Sequence, residues 1–250
     1  MKGRVVVVKE YGKPFEIEEY DVPEPEHGAV LLRMTQAGVC GSDLHTYRGD
    51  QTQEYMPLPA SGRVMGHEGT GIVEALGPHI STDTLGEPIR EGDRVIYSAV
   101  FPCHKCHLCL KGDTNWCANR EYPTAGVWPY FTGTYADFLY LPPRHPFFRV
   151  PDELADDILG PVNCAMGTVT TGFQRANLGE GEYVVIQGAG GLGLHATAMA
   201  KEMGASRVIV LDRLENRLAL AQEFGADHTI NIDEFNTPET RIRRVWELTS

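Results

Sequence analysis

The chain has 250 residues, with 22 Lys and Arg against 34 Asp and Glu and a net charge of −12. With 42% apolar and 22% charged residues it is globular, because disorder needs less of the first and more of the second. A pI near 5.2 argues against a nucleic-acid protein, which needs concentrated Lys and Arg to neutralise phosphates. No apolar run approaches the roughly 18 residues of a membrane helix. The N-terminal run at residues 5–8 is far shorter than a signal-peptide core and is closed by Lys9 and Glu10. The expectation is a soluble cytoplasmic protein with neither a nucleic-acid nor a membrane partner.

In chain order, residues 1–157 have the texture of irregular β structure. Short β-rich runs stand at residues 4–9, 30–37, 71–75, 94–98 and 136–141, separated by turn signals at residues 23–25, 57–59, 77–78 and 142–143. Helical periodicity is scarce. Gly92-Asp93-Arg94-Val95 reads as a tight turn feeding a strand, and residues 82–90 as an exposed loop. Residues 156–175 mix small and apolar side chains, predicting a buried helix that carries the chain into a second domain at residue 158. An alternation follows: strand 183–187, glycine turn, helix 192–203, strand 207–211, helix 215–224 and strand 228–231. Such alternation predicts βαβ units on a parallel sheet, with Gly204 and Gly225 at helix C-termini. A helix starting near 241 has no later strand to receive it. Three strands make half of a dinucleotide-binding sheet, so the expectation is a C-terminally shortened form of a longer protein.

Three motifs carry chemistry. Cys103-x2-Cys106-x2-Cys109-x7-Cys117 places four thiols in one short lobe, enough to enclose Zn²⁺ at about 2.3 Å with no place for water. Cysteines two residues apart bridge poorly, and a reducing cytosol disfavours disulfides, so structural zinc is the reading. His104 and His107 are surplus to an all-thiolate site and read as solvated side chains. The second motif joins Cys40-Gly41-Ser42-Asp43-Leu44-His45 to Gly66-His67-Glu68. A thiolate and an imidazole, completed by the distant Cys164, supply three ligands and leave a position open, as in catalytic zinc. The third is Gly188-Ala189-Gly190-Gly191-Leu192-Gly193, between a strand and a helix, with Asp212 placed 24 residues after Gly188 at the end of the next strand. Gly188 allows the tight turn, Gly190 the approach of pyrophosphate, and Gly193 close packing, with phosphate on the helix N-terminus. Asp212 would accept from the adenosine ribose hydroxyls and repel a 2′-phosphate, favouring NAD over NADP. Arg213 beside it could instead bind that phosphate.

With these residues in view, the chain resembles the zinc-containing alcohol dehydrogenases of the medium-chain dehydrogenase/reductase superfamily. Residues 66–80 fit that family's zinc signature throughout, and the cysteine lobe, residues 92–95, residues 133–138 and the glycine fingerprint follow in family order. The resemblance implies an α/β multidomain protein, with a GroES-like β-rich catalytic domain, then a Rossmann parallel-sheet domain incomplete in this chain, and an active site in the cleft between them. It implies one catalytic zinc on Cys40, His67 and Cys164, and one structural zinc on Cys103, Cys106, Cys109 and Cys117. Glu68 matches the glutamate beside the metal, able to be a fourth ligand or to displace water. Ser42 and His45 match the proton-relay positions, Asp43 the carboxylate that orients His67, and Thr168 a position near the nicotinamide. The implied reaction is reversible oxidation of a small-molecule alcohol to an aldehyde or ketone with hydride transfer to NAD(P), by a homodimer or homotetramer. The segments before His67 and around residues 122–131 are expected to shape the substrate pocket and leave the alcohol open. Two rivals stand beside this. A zinc-free quinone or enoyl reductase on the same fold predicts that the ligands are missing. A non-catalytic zinc-stabilised or partner-binding protein predicts a single zinc.

Overall fold

The computed structural model describes residues 1–50, 58–120 and 123–250. Residues 51–57 of the segment before His67, Tyr122 of the expected pocket run, and the turn signal at Pro57 lie outside the described residues. The chain forms two compact units, Met1–Asn163 and Cys164–Ser250. No helix among the described residues is long and apolar enough to cross a membrane.

The first unit carries β1 (Lys2–Val8), β2 (Glu16–Asp21), β3 (Val30–Ala37), helix α1 (Gly41–Arg48), β4 (Arg63–Val64), β5 (Gly69–Leu76), β6 (Arg94–Tyr97), the one-turn helix α2 (His107–Leu110), β7 (Phe138–Leu141) and β8 (Phe147–Arg149). Two antiparallel sheets form, in the orders β2-β1-β4 and β7-β3-β5-β6-β8. Successive side chains on a strand point to opposite faces, and the apolar run in β3 uses both. Leu31 enters one core with Val5, Val7, Val64, Phe131 and Tyr140, while Val30 and Leu32 enter another with Val73, Val95, Leu139 and Leu141. The second core covers the five-stranded sheet on the face opposite the first.

Helix is scarce among the strands, as expected, but α1 interrupts the β texture and ends at Gly49, which adopts φ +71°. Two expectations are corrected here. The loop at residues 82–90 is not simply exposed: Asp83 and Ile89 are each only 7% exposed. Asp83 accepts the backbone N–H of Leu85, Glu87 and Arg149, which folds the loop over its own carboxylate. The linking helix is not continuous, and within its expected span Leu159 and Gly160 are the buried residues. It divides into a 3₁₀ turn at Asp156–Ile158, a π-helical stretch at Val162–Met166 and helix α3 (Gly167–Ala176), none with a buried residue. Pro161 lacks an N–H and disfavours a helical Gly160 before it, so one helix cannot pass this point.

In the second unit α3 is followed by β9 (Tyr183–Gln187), α4 (Gly191–Glu202), β10 (Arg207–Asp212), α5 (Glu215–Glu223), β11 (His228–Asn231) and α6 (Pro238–Thr249). The strands pair in parallel in the order β11-β10-β9. Val208 and Val210 pack with Ile186, Ala200 and Ala221 on one face, and Ile209 and Leu211 with Ile230, Val245 and Leu248 on the other. Helix α6 starts three residues before the sequence suggested, where Thr237 accepts the Thr240 N–H and Pro238 opens the first turn.

Candidate active site and metal centres

In the cysteine lobe, Cys106 Sγ lies 3.5 Å from Cys109 Sγ and 3.9 Å from Cys117 Sγ, and Cys103 Sγ lies 4.0 Å from Cys109 Sγ. These are not disulfides. Four sulfurs each about 2.3 Å from a common centre stand roughly 3.8 Å apart at the corners of a tetrahedron, so the thiols already have the spacing of a zinc site. Backbone N–H groups of Lys105 and Cys106 aim at the Cys103 sulfur and bring its pKa down to about 6. Cys109 moves the other way, to about 12, through desolvation and the neighbouring thiols. A central dication resolves that conflict, since all four can then ionise together. His104 is half-buried and His107 exposed, and neither joins the four-sulfur set.

The second cluster is built around α1. Cys40 precedes its first turn, and the Asp43 carboxylate turns back to accept the Cys40 N–H at 3.0 Å. Asp43 is 6% exposed, and its other contacts are the Tyr135 hydroxyl at 3.0 Å and His67 Nδ1 at 3.3 Å. Burial pushes the Asp43 carboxyl up, but His67, the Cys40 N–H and Tyr135 outweigh it and hold the group below the usual carboxylate range. His67 therefore donates from Nδ1, and its Nε2, 3.4 Å from Ser42 Oγ, is the nitrogen left as an acceptor. His67 is delivered by Gly66 at φ +87°, where an added Cβ would stand 2.4 Å from Thr134 Oγ1, so no side chain fits. Ligand atoms of Cys40, His67 and Glu68 lie within 4.8 Å of one another. Glu68 is buried at 7% exposure, a costly position for a carboxylate without a cation. Burial raises the Cys40 thiol, while hydrogen bonds from Ser42, with the neighbouring His67 ring, more than reverse this and leave it lowered. A thiolate, an imidazole and a buried carboxylate suit zinc. Cys164 opens the second unit, immediately after Asn163, whose side chain accepts the Gly69 N–H at 3.5 Å and donates to the Tyr97 carbonyl at 2.8 Å.

A cavity of about 300 Å³ opens beside this cluster, with Ser42, His67, Tyr97, Phe101 and Thr134 in its walls. His45 is on the outer side of α1, 56% exposed, with Nδ1 3.1 Å from Asp50 Oδ2. Thr168 is exposed on α3.

In the second unit, Gly188 takes φ +100° after β9, and a Cβ on Gly193 would stand 1.8 Å from the Gly188 carbonyl oxygen. Gly190 caps α4, which starts at Gly191, and Leu192 is exposed on its first turn. The Ala189 N–H donates to Asp212 Oδ2 at 2.7 Å, while the N–H groups of Arg213 and Leu214 donate to Oδ1 at 2.8 and 2.9 Å. These N–H groups offset burial and hold Asp212 below its usual pKa. The Arg213 side chain turns to Asp233, donating from Nε to Oδ1 at 2.9 Å.

Comparison with known proteins places this arrangement. The family described as "Alcohol dehydrogenase GroES-like domain" matches residues 26–152, and "Zinc-binding dehydrogenase" matches residues 191–248. The chain belongs to the zinc-containing alcohol dehydrogenases. Among its curated relatives, 5-exo-hydroxycamphor dehydrogenase of Pseudomonas putida is 38% identical over 92% of this chain and 63% of its own length. An alcohol dehydrogenase of Rhizobium meliloti (strain 1021) is 35% identical over 99% of this chain and 68% of its own. The crystal structure of an alcohol dehydrogenase from Thermotoga maritima superposes with a TM-score of 0.88 at 30% identity, over all of this chain and 68% of that one. The chain thus spans 63% of the length of the hydroxycamphor relative.

Within this dehydrogenase fold, two participants escape a reading of the sequence. Tyr135 stands in a run placed only by family order, and its bond to Asp43 spans 92 positions. Asp233, the partner of Arg213, lies in a turn after β11 that no motif marks.

Proposed function

We propose that the protein is a zinc- and NAD-dependent alcohol dehydrogenase oxidising a small-molecule secondary alcohol to a ketone. The observation that carries this is the meeting of Cys40, His67 and Glu68 ligand atoms within 4.8 Å, beside a cavity that His67 and Ser42 also line. Bound there, zinc supplies a Lewis acid to the alcohol oxygen and the dinucleotide supplies the hydride acceptor. Cys40, His67 and Cys164 would hold the metal, with buried Glu68 as the further anionic group able to ligate it or to displace water. Asp43 keeps the proton of His67 on Nδ1, which leaves the Nε2 lone pair for a metal. Ser42 Oγ, in the cavity wall, would take the substrate proton while releasing its own hydroxyl proton toward solvent. Exposed His45, paired with Asp50, passes it to solvent. Gly188, Gly190, Gly191, Leu192 and Gly193 shape the turn and helix start for the pyrophosphate, Asp212 accepts from the adenosine ribose, and Thr168 approaches the nicotinamide. The cytoplasm is the expected compartment, and a homodimer or homotetramer the expected assembly. The compounds for which the hydroxycamphor and L-threonine relatives are named are secondary alcohols, which supports that substrate class.

The test follows absorbance of the reduced cofactor across a panel of secondary and primary alcohols, alongside zinc analysis of wild type and Cys40→Ala. Turnover that disappears together with one zinc equivalent supports the reading. A fully active Cys40→Ala protein with unchanged zinc overturns it.

A further inference from the structure

We propose that Asp233 is a cofactor-selectivity residue, which withholds the Arg213 guanidinium from a 2′-phosphate and so tunes the site toward NAD. The proposal rests on the dinucleotide-binding reading above and deepens it. Arg213 follows Asp212 at the end of β10, the position from which a cation would reach a phosphate on the adenosine ribose. Its Nε is engaged by Asp233 Oδ1 at 2.9 Å, in a pair with 68% and 56% of the two side chains exposed.

Asp233 is not there by chance of a wandering side chain. Its N–H donates to Asn231 Oδ1 at 2.9 Å, and the Ile232 N–H donates to the Asp212 carbonyl at 3.1 Å. Asp212 and Asn231 are register partners across β10 and β11. The turn bearing Asp233 is therefore tied to the backbone of Asp212 itself. The charges gathered there are Asp212, Glu215 (which accepts from Asn231 Nδ2) and Asp233 against Arg213 and Arg217. The balance is one net negative charge. A 2′-phosphate entering this edge meets Asp212 while the nearest guanidinium is already bound to Asp233. The ribose hydroxyls of NAD meet only an acceptor.

The experiment measures dissociation constants of NAD⁺ and NADP⁺ for the full-length wild type, Asp233→Asn, Arg213→Ala and the double variant, by quenching of intrinsic fluorescence. Asp233→Asn keeps the backbone N–H bond to Asn231 and removes only the charge. Because an exposed pair contributes at most about 1 kcal/mol, the expected gain in NADP⁺ affinity is roughly two- to fivefold, with NAD⁺ changed by less than about 1.5-fold. Adding Arg213→Ala abolishes the gain, since the released guanidinium is its source. The proposal is overturned if Asp233→Asn shifts both dinucleotides equally or neither. It is also overturned if the gain survives loss of Arg213, or if wild type binds NADP⁺ more tightly than NAD⁺. If wild type binds neither dinucleotide, the underlying cofactor reading falls with it. Binding of NAD⁺ with no response at Asp233 removes this proposal alone.

Discussion

Asp43 gathers three donors from three parts of the chain: the Cys40 N–H, the Tyr135 hydroxyl and His67 Nδ1. Hydrogen bonds to a charged acceptor are worth about 1.5–3 kcal/mol each, and an acceptor left unmade in a buried place costs more than the bond returned. Tyr135→Phe removes one donor and nothing else, so the carboxylate loses its hold on orientation and the imidazole is aimed less firmly. The expected result is a roughly tenfold or greater loss of zinc affinity, read by competition with a chromogenic chelator, in a protein that remains folded. Unchanged affinity would mean that Asp43 is held by His67 and Cys40 alone. His145 offers a separate test of buried titration. It is 5% exposed, with Nε2 2.7 Å from the Ser98 carbonyl. Burial brings its pKa down from 6.5 to about 4, against the opposing pull of that carbonyl. Between those two values the unfolded chain binds a proton that the folded protein refuses, so stability falls as the pH drops through this window. The linked loss is on the order of 3 kcal/mol. Urea midpoints of His145→Gln should therefore decline less than those of wild type between pH 6.5 and pH 4, and parallel declines would refute the assignment.

The elements most legible in the sequence were those that repeat a period over a whole βαβ unit. Strands β9 and β11 coincide with the expected runs, and α4, β10 and α5 differ from them only at their ends, because apolar strands, glycine stops and amphipathic helices alternate there without interruption. Strands β2, β4 and β8 went unseen. Glu16–Asp21 carries four acidic residues and pairs on an edge, while Arg63–Val64 is two residues long and is held by distant partners, β1 on one side and Thr124 on the other. Helix α1 was hidden because its side chains serve the Asp43 network and not an apolar stripe, so no periodicity announces it. The linking helix failed for the opposite reason, since apolar spacing was read across Pro161. In the glycine turn the positive φ of Gly188 and the tight packing of Gly193 have the geometry the spacing suggests. A Cβ on Gly193 would fall 1.8 Å from the Gly188 oxygen, and that atom is backbone with no freedom to swing away. Gly193→Ala must push the first turn of α4 off the turn that precedes it. The expected cost is about 1–3 kcal/mol of stability, together with at least a tenfold loss of dinucleotide affinity, while zinc content stays at the wild-type value. An alanine variant that binds the dinucleotide normally would show that the turn can open without harm.

At the scale of the whole molecule the two metal clusters rest on different kinds of support, and their removal should therefore look different. The four-cysteine spacing was visible from sequence because its ligands sit within one lobe, whereas the Cys40 and His67 cluster needed distant segments to meet. Those segments are anchored without metal: α1 ends in a glycine cap, Asp43 is hydrogen-bonded, and His67 leads into β5 within a packed sheet. Among its described residues the cysteine lobe buries little apolar surface. Helix α2 and the 3₁₀ turn Thr114–Trp116 contain no buried residue, and Leu110 and Trp116 are 76% and 61% exposed. Metal binding in such a lobe is folding free energy, as in other small sites with too little apolar core. Cys106→Ser should then lose one zinc equivalent, open residues near 103–117 to protease and lower the melting temperature by several degrees. Cys40→Ala should lose one zinc equivalent and all turnover while the melting temperature barely moves. Metal analysis of the wild type must find two zincs per chain for this division to hold. A single zinc, lost only with Cys106→Ser, would leave a metal-stabilised fold with no metal at its cavity, and the non-catalytic reading would then take the place of the dehydrogenase.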